Sequence, residues 1–151
     1  MFIDDSQTLQ RFCENLTDVP YIAVDTEFMR DRTYYPQLCM VQVCHGKHGA
    51  VVDTRASKID LEPLYDLLED PKIMKVFHSA SQDMEVFHAE AQFLPSPLFD
   101  TQIAAMVCGF GDQVGYARLV GELVGARIDK SFQLTDWSRR PLTQKQIAYA
   151  L

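Results

Sequence analysis

The chain has 151 residues, 47% of them hydrophobic, which is enough for one globular domain and too few for two. No stretch approaches the roughly 20 apolar residues of a membrane span, and the N-terminus lacks the regions of a signal peptide, so we expect a cytoplasmic protein with no membrane partner. The net charge of −7 argues against broad, nonspecific nucleic-acid binding, but it does not exclude a nuclease, because bound metal ions reverse the local sign around clustered acids.

The first third of the chain predicts one helix and a three-stranded meander. Asp5 and Ser6 cap a short amphipathic helix that ends near residue 16. Strands are expected at residues 21–28, 38–44 and 50–53, with a tight turn over residues 45–49. The four cysteines lie in apolar segments, so we expect reduced, buried thiols. They are Cys13, Cys39, Cys44 and Cys108.

Strand and helix patterns alternate in the rest of the chain. Helices are expected over residues 61–68, from residue 79 onward, over 102–107 with Asp100 as the cap, and over 116–123 before Gly125; a further strand is expected at 73–78. The pattern predicts an α/β fold with a mixed sheet covered by helices. The last helix begins at residue 142 and carries no stop signal by Leu151, so we expect the chain to end within a helix.

Two carboxylates stand at the end of the first predicted strand of the meander. Asp25 and Glu27 are two residues apart, so alternation places both on one face, roughly 7 Å apart along the strand. Two like charges at that distance raise a pKa unless a cation joins them. Magnesium or manganese accepts such oxygen ligands, although a water-facing strand end remains the simpler alternative.

Four segments together resemble ribonuclease D, of the DEDDy branch of 3′-to-5′ exonucleases. They are VDTEF at residues 24–28, FHSASQD at 77–83, DWSRRPL at 136–142 and QIAYAL at 146–151. The resemblance implies one 3′–5′ exonuclease domain over residues 1–151, with a ribonuclease-H-like fold and a mixed sheet of five to six strands flanked by helices. It also implies a fourth acid just past Leu151 and helical nucleic-acid-binding domains after it, both outside this sequence.

The resemblance implies four catalytic residues and two divalent ions, Mg²⁺ or Mn²⁺. Asp25 is expected to bridge the ions, Glu27 to hold the ion nearer the nucleophile, and Asp83 to act on the second. Two such ions clamp the attacking and leaving oxygens of a phosphodiester. Tyr149 is expected to orient the attacking water, since a phenol with a pKa near 10 is a poor base at neutral pH.

The implied partner is single-stranded RNA at its 3′ end, as in transfer-RNA precursors, with release of nucleoside 5′-monophosphates. Trp137 offers a stacking face for a base, and Arg139 and Arg140 offer contacts to phosphate. A second loop carries similar residues, namely Arg30, Arg32, Tyr34 and Tyr35. A monomer is favoured. Two alternatives stay open: a nucleic-acid-binding module without turnover, and a DNA exonuclease on the same fold.

Overall fold

The computed structural model describes residues 1–30, 34–129, 131–132 and 135–151, and these form a mixed α/β unit. The strands are β1 (Phe2–Ile3), β2 (Tyr21–Met29), β3 (Gln37–His45), β4 (His48–Asp53), β5 (Met74–Phe77) and β6 (Leu98–Asp100). The helices are α1 (Ser6–Glu14), α2 (Glu62–Glu69), α3 (Ser81–Ala91), α4 (Thr101–Val107), α5 (Tyr116–Val124) and α6 (Gln144–Ala150).

One six-stranded sheet organises the molecule, in the order β1-β4-β3-β2-β5-β6. The predicted meander is confirmed, because β2, β3 and β4 pair antiparallel, while the other three strands pair parallel to their neighbours. The predicted mixed sheet is thereby confirmed at six strands. Strand β2 lies in the middle, between β3 and β5, so the acids that it carries lie near the centre of the sheet.

The pairing of β2 with β3 shifts its register directly after Glu27. Glu27 lies opposite Met40 and Phe28 opposite Leu38, so Cys39 is the extra residue on β3. Such a bulge bends the strand and changes the direction of the neighbouring side chains, and bulges are common beside active sites. Here it shifts the ladder by one residue directly after the second acid.

Apolar side chains pack on both faces of the sheet. The larger cluster joins β2 to the helices α1, α2 and α3, with Ile22, Leu9, Leu64 and Phe87 all fully buried. A smaller cluster on the other side surrounds Trp137 and includes residues of β3, β4 and α6. The caps follow the sequence pattern, since Asp5 accepts a hydrogen bond from the Thr8 amide at the start of α1.

Two short edge strands and two cysteines differ from the sequence expectations. The strands β1 and β6 have two and three residues, too few for a periodic signal, and each exists only because a longer neighbour pairs with it. Cys108 is exposed and Cys44 is half-buried, so the expectation of buried thiols was wrong for these two. Cys108 follows α4, whose outer face is open. Within the described part of the chain, no helix is both long and apolar enough to cross a bilayer.

Candidate active site

The acids of β2 occupy the face opposite the larger core. Burial alternates along the strand, with Ile22, Val24 and Thr26 inside, while Asp25 is exposed and Glu27 half-buried. The prediction that Asp25 and Glu27 share a face is confirmed. Alternation alone produces this arrangement, because successive side chains of a strand point to opposite faces.

Helix α3 brings a third carboxylate to the same end of β2. Asp83 lies in the first turn of α3 and is buried. Its Oδ1 accepts a hydrogen bond of 2.5 Å from the Thr26 hydroxyl, across 57 residues of sequence. The middle residue of the Asp-Thr-Glu segment therefore anchors the acid of the second segment.

Burial raises the pKa of all three acids, and repulsion from neighbouring carboxylates raises the pKa of Glu27 and Asp83 further. Burial raises the pKa of Glu27 to about 8, and the charges of Asp25 and Asp83 add to this shift. Burial also raises the pKa of Asp83 to about 6, again with a contribution from Asp25. Solvent reaches Asp25, yet enough protein surrounds its carboxylate that desolvation raises its pKa too. Each carboxylate thus lies within electrostatic range of another, and the cost of ionising them favours a bound cation.

The carboxylates suit a hard divalent ion in their chemistry, since Mg²⁺ and Mn²⁺ prefer oxygen ligands. Among the residues that the structure describes, however, no three His, Cys, Asp or Glu side chains already converge closely enough to hold one ion. The three acids are therefore electrostatic neighbours whose side chains, as placed here, do not form a closed metal site.

Helix α6 brings Tyr149 beside these acids. Tyr149 is half-buried, with its ring 6.0 Å from that of Trp137 and 5.8 Å from that of Phe132. Burial raises the pKa of its phenol, and the negative charges of Glu27, Asp129 and Asp25 raise it further. The structure therefore brings together all four predicted catalytic residues.

The structure places the three predicted substrate contacts differently. Trp137 is only 1% exposed, so its ring packs in the core under Tyr149 and offers no open stacking face. Arg139 is the most accessible, with 83% of its side chain exposed beside Asp136. The prediction of a phosphate contact thus has geometric support for Arg139 alone.

All five N–H groups of the Arg140 guanidinium are already bonded within the protein. Nε and Nη2 bind the two carboxylate oxygens of Asp53 at 2.7 and 2.5 Å, and Nη2 also donates to the bulge carbonyl of Cys39 at 3.1 Å. Nη1 donates to the carbonyls of Trp137 and Arg139. Since arginine has five such donors, none is left for phosphate. Arg140 acts as a structural clamp between the segment that precedes α6 and the sheet.

Of the second predicted loop, Arg30 forms an exposed ion pair with Glu85 at 2.6 Å. Tyr34 and Tyr35 are both exposed and their rings meet edge to face at 5.0 Å. Arg32 lies outside the described residues. Exposed aromatic rings between β2 and β3 are compatible with base stacking, which stays a prediction.

Asp100 has a larger part than the helix cap that the sequence indicated. Its carboxylate accepts from the amide of Gln102 in α4, and also from the amides of Ser79 and Ala80 at the start of α3. One side chain thereby fixes two helix N-termini, including that of the helix that carries Asp83. The cap was visible in the sequence, but the second helix was not, because that contact spans 20 residues.

His78 ties together the segments beside Asp25. Its Nε2 donates to the Val114 carbonyl at 2.9 Å and its Nδ1 hydrogen-bonds the Thr101 hydroxyl at 2.9 Å. The ring lies 5.4 Å from that of Tyr116. A positive charge on His78 would lower the pKa of Asp25, against the larger effect of desolvation.

Comparisons with known proteins agree with this geometry. A family model described as 3′–5′ exonuclease matches residues 1–151. The ribonuclease D of Granulibacter bethesdensis is 53% identical over 148 residues, covering 98% of this chain and 38% of that protein. The crystal structure of Escherichia coli RNase D, an exoribonuclease involved in structured RNA processing, superposes with a TM-score of 0.93 at 45% identity over 99% of this chain.

A third neighbour bears on the metal. The structure of Brucella melitensis NrnC with bound Mg²⁺ has a TM-score of 0.76 and 30% identity, covering 89% of this chain and 67% of that one. The chain spans only 38% of the Granulibacter protein and 40% of the Escherichia coli one. The shared part is therefore the portion that carries the acids.

Proposed function

Because the chain belongs to the 3′–5′ exonuclease family, we propose that it hydrolyses phosphodiester bonds at RNA 3′ ends and releases nucleoside 5′-monophosphates. The observation that best supports this proposal is the gathering of three mutually repelling carboxylates and one phenol at the end of β2. A stable fold gains nothing from such repulsion, whereas a site for cations and phosphate chemistry requires it.

We propose Asp25, Glu27 and Asp83 as the residues that hold the divalent ions. Mg²⁺ or Mn²⁺ bound there would offset the acids' repulsion and stabilise the negative charge that develops on the phosphate oxygens during hydrolysis. Asp25 stands between the other two in electrostatic terms, since it raises the pKa of both. This supports the role of Asp25 as the shared ligand of two ions.

Tyr149 is proposed to orient the attacking water. Its raised pKa keeps the phenol protonated at neutral pH, so it acts through a hydrogen bond and not as a base. The rings of Trp137 and Phe132 limit its freedom. The water would therefore meet a hydroxyl in a fixed direction, which lowers the entropy cost of attack.

RNA is the proposed substrate, because the ribonuclease D of Escherichia coli acts in structured RNA processing and the chain shares its fold at 45% identity. Arg139 is the proposed phosphate contact. Processing of transfer-RNA precursors, a cytoplasmic location, a monomeric state and a fourth acid after Leu151 all stay predictions.

The test is a gel time course with 5′-labelled RNA and DNA of one sequence, each with Mg²⁺, Mn²⁺ or chelator. We expect a metal-dependent ladder that shortens from the RNA 3′ end. A form of the protein in which α6 is extended by several turns should produce this ladder faster. Asp25→Asn should abolish the ladder. Asp4→Asn is the matched control, because Asp4 is an exposed acid that follows β1, at the far edge of the sheet.

The alternatives predict different gels. Faster shortening of DNA would favour the DNA exonuclease. RNA binding with no ladder from either form would leave a binding module. A ladder that survives both chelator and Asp25→Asn would contradict the proposed site.

A further inference from the structure

The inner face of β2 carries a buried hydroxyl in an otherwise apolar row. Ile22, Val24 and Thr26 alternate along that face, and all three are buried. Valine is branched like threonine, so an apolar residue at position 26 would continue the row without burying a polar group. A buried hydroxyl costs folding free energy unless it is hydrogen-bonded. The partner of the Thr26 hydroxyl therefore indicates what this residue does.

That partner is Asp83, which approaches β2 from the face opposite to Asp25 and Glu27. Helix α3, which carries Asp83, packs its apolar side into the larger core, and the inner row of β2 faces the same core. The Thr26 hydroxyl donates to Oδ1 of Asp83 at 2.5 Å, and both side chains are buried. The third proposed ligand thus meets the other two across the strand that carries them.

The sheet does not separate these acids, because strand β5 ends before it reaches them. β5 pairs with β2 only over residues 21–23, so no β5 residue is paired beside Asp25 or Glu27. A carboxylate on the inner side can reach an ion on the outer side past this edge of β2. The charge of Asp25 raises the pKa of Asp83, so the two carboxylates lie within electrostatic range. Whether Asp83 reaches a shared ion then depends on the direction of its carboxylate.

We propose that Thr26 is a positioning residue, whose hydroxyl holds Oδ1 of Asp83 and thereby directs the carboxylate toward the divalent ion. The inference rests on the proposed function, since it assumes that Asp83 holds metal. Without the bond, the aspartate can rotate about its side-chain bonds, and an ion would have to immobilise it. Residues that hydrogen-bond a metal-ligating carboxylate typically contribute about 10–100-fold to metal affinity. A bond with a structural role alone would stabilise the fold and leave metal affinity unchanged.

The test uses three variants of the inner row of β2. Thr26→Val keeps the branched shape and removes the hydroxyl, whereas Thr26→Ser keeps the hydroxyl and removes a methyl group. Ile22→Val, the matched control, removes a methyl group from the same buried row. The Kd for Mn²⁺ is measured by calorimetry without RNA, at a temperature below the Tm of every variant, and the Tm is measured in chelator.

We expect all three variants to have a lower Tm, because each loses a buried methyl group or a buried hydrogen bond. Thr26→Val alone should weaken Mn²⁺ binding, by about 10–100-fold, while Thr26→Ser and Ile22→Val keep nearly the affinity of the parent chain.

The outcomes separate this inference from the proposed function. Parental Mn²⁺ affinity in Thr26→Val, or a loss of affinity that follows the Tm across all three variants, would overturn the positioning role and leave the proposed function standing. If the parent chain itself fails to bind Mn²⁺, the proposed function fails, and the inference fails with it.

Discussion

Arg140 and Arg139 are adjacent in sequence, but the structure predicts a structural role for Arg140 and a substrate contact for Arg139. The sequence suggested that Arg139 and Arg140 both contact phosphate, but the structure uses all five donors of Arg140 internally and leaves Arg139 open. Replacing each arginine with alanine gives a matched pair from adjacent positions. We expect Arg140→Ala to destabilise the fold and Arg139→Ala to weaken RNA binding.

The size of the stability loss follows from the environment of the ion pair. Asp53 is 4% exposed, and Arg140→Ala would leave its carboxylate buried without its cation and the Cys39 carbonyl without a donor. Breaking a buried pair costs about 3–5 kcal/mol. The Arg140 side chain keeps 24% exposure, so we take the lower end, about 3 kcal/mol, which corresponds to a Tm lower by roughly 6–12 °C at this size.

The exposed pair of Arg139 with Asp136 should contribute far less. Surface ion pairs are worth about 0–1 kcal/mol, so Arg139→Ala should leave the free energy of unfolding nearly unchanged. Urea denaturation measures the stability of both variants, and fluorescence anisotropy with a single-stranded RNA measures binding. If Arg140→Ala is as stable as the parent chain and binds RNA more weakly, its guanidinium reaches the substrate and the clamp is refuted.

Three further predictions concern stability. Because the pKa of Glu27 is raised from 4.5 to about 8, the metal-free folded state holds a proton that the unfolded chain releases. The contribution of Glu27 to the free energy of unfolding should therefore fall as pH rises from 5 to 8. Urea unfolding in chelator should show a shallower fall for Glu27→Gln than for the parent chain, and an equal slope would contradict the assignment. Thr26→Val removes the donor to Asp83 and should lower the free energy of unfolding by about 1–3 kcal/mol at pH 8. The loss should be smaller at pH 5, where Asp83, with a pKa of about 6, is protonated. Equal losses at both pH values would count against that bond. Lys75 is fully buried and donates to three backbone carbonyls. Lys75→Met should therefore lower the free energy of unfolding by about 2 kcal/mol or more. A Lys75→Met variant as stable as the parent chain in the same assay would show that these carbonyls find other donors.

Much of the fold could be predicted from local pattern. The alternation over residues 21–28 and 38–44 and the helical spacing over 61–68 gave elements whose ends lie within one residue of those observed. Asp5 and Asp100 were correctly identified as helix caps. Periodicity and capping act over a few residues, so a single sequence contains that information. The edge strands β1 and β6 were not predicted, because pairing with a neighbour, and not their own composition, makes them strands.

Some features of the candidate site could likewise be predicted from local sequence, and others depend on tertiary contacts. That Asp25 and Glu27 share a face follows from alternation alone, and the resemblance of local segments to ribonuclease D predicted Asp83 and Tyr149 as their companions. Only the tertiary structure decided that Thr26 anchors Asp83 and that Arg140 closes on Asp53 across 87 residues. Residue type states what a side chain is able to bond, and the packing of distant segments decides which partner it meets. The sequence therefore determined which chemical groups this protein has, and the fold determined which of them stay open to solvent at the candidate site and which hold that site in place.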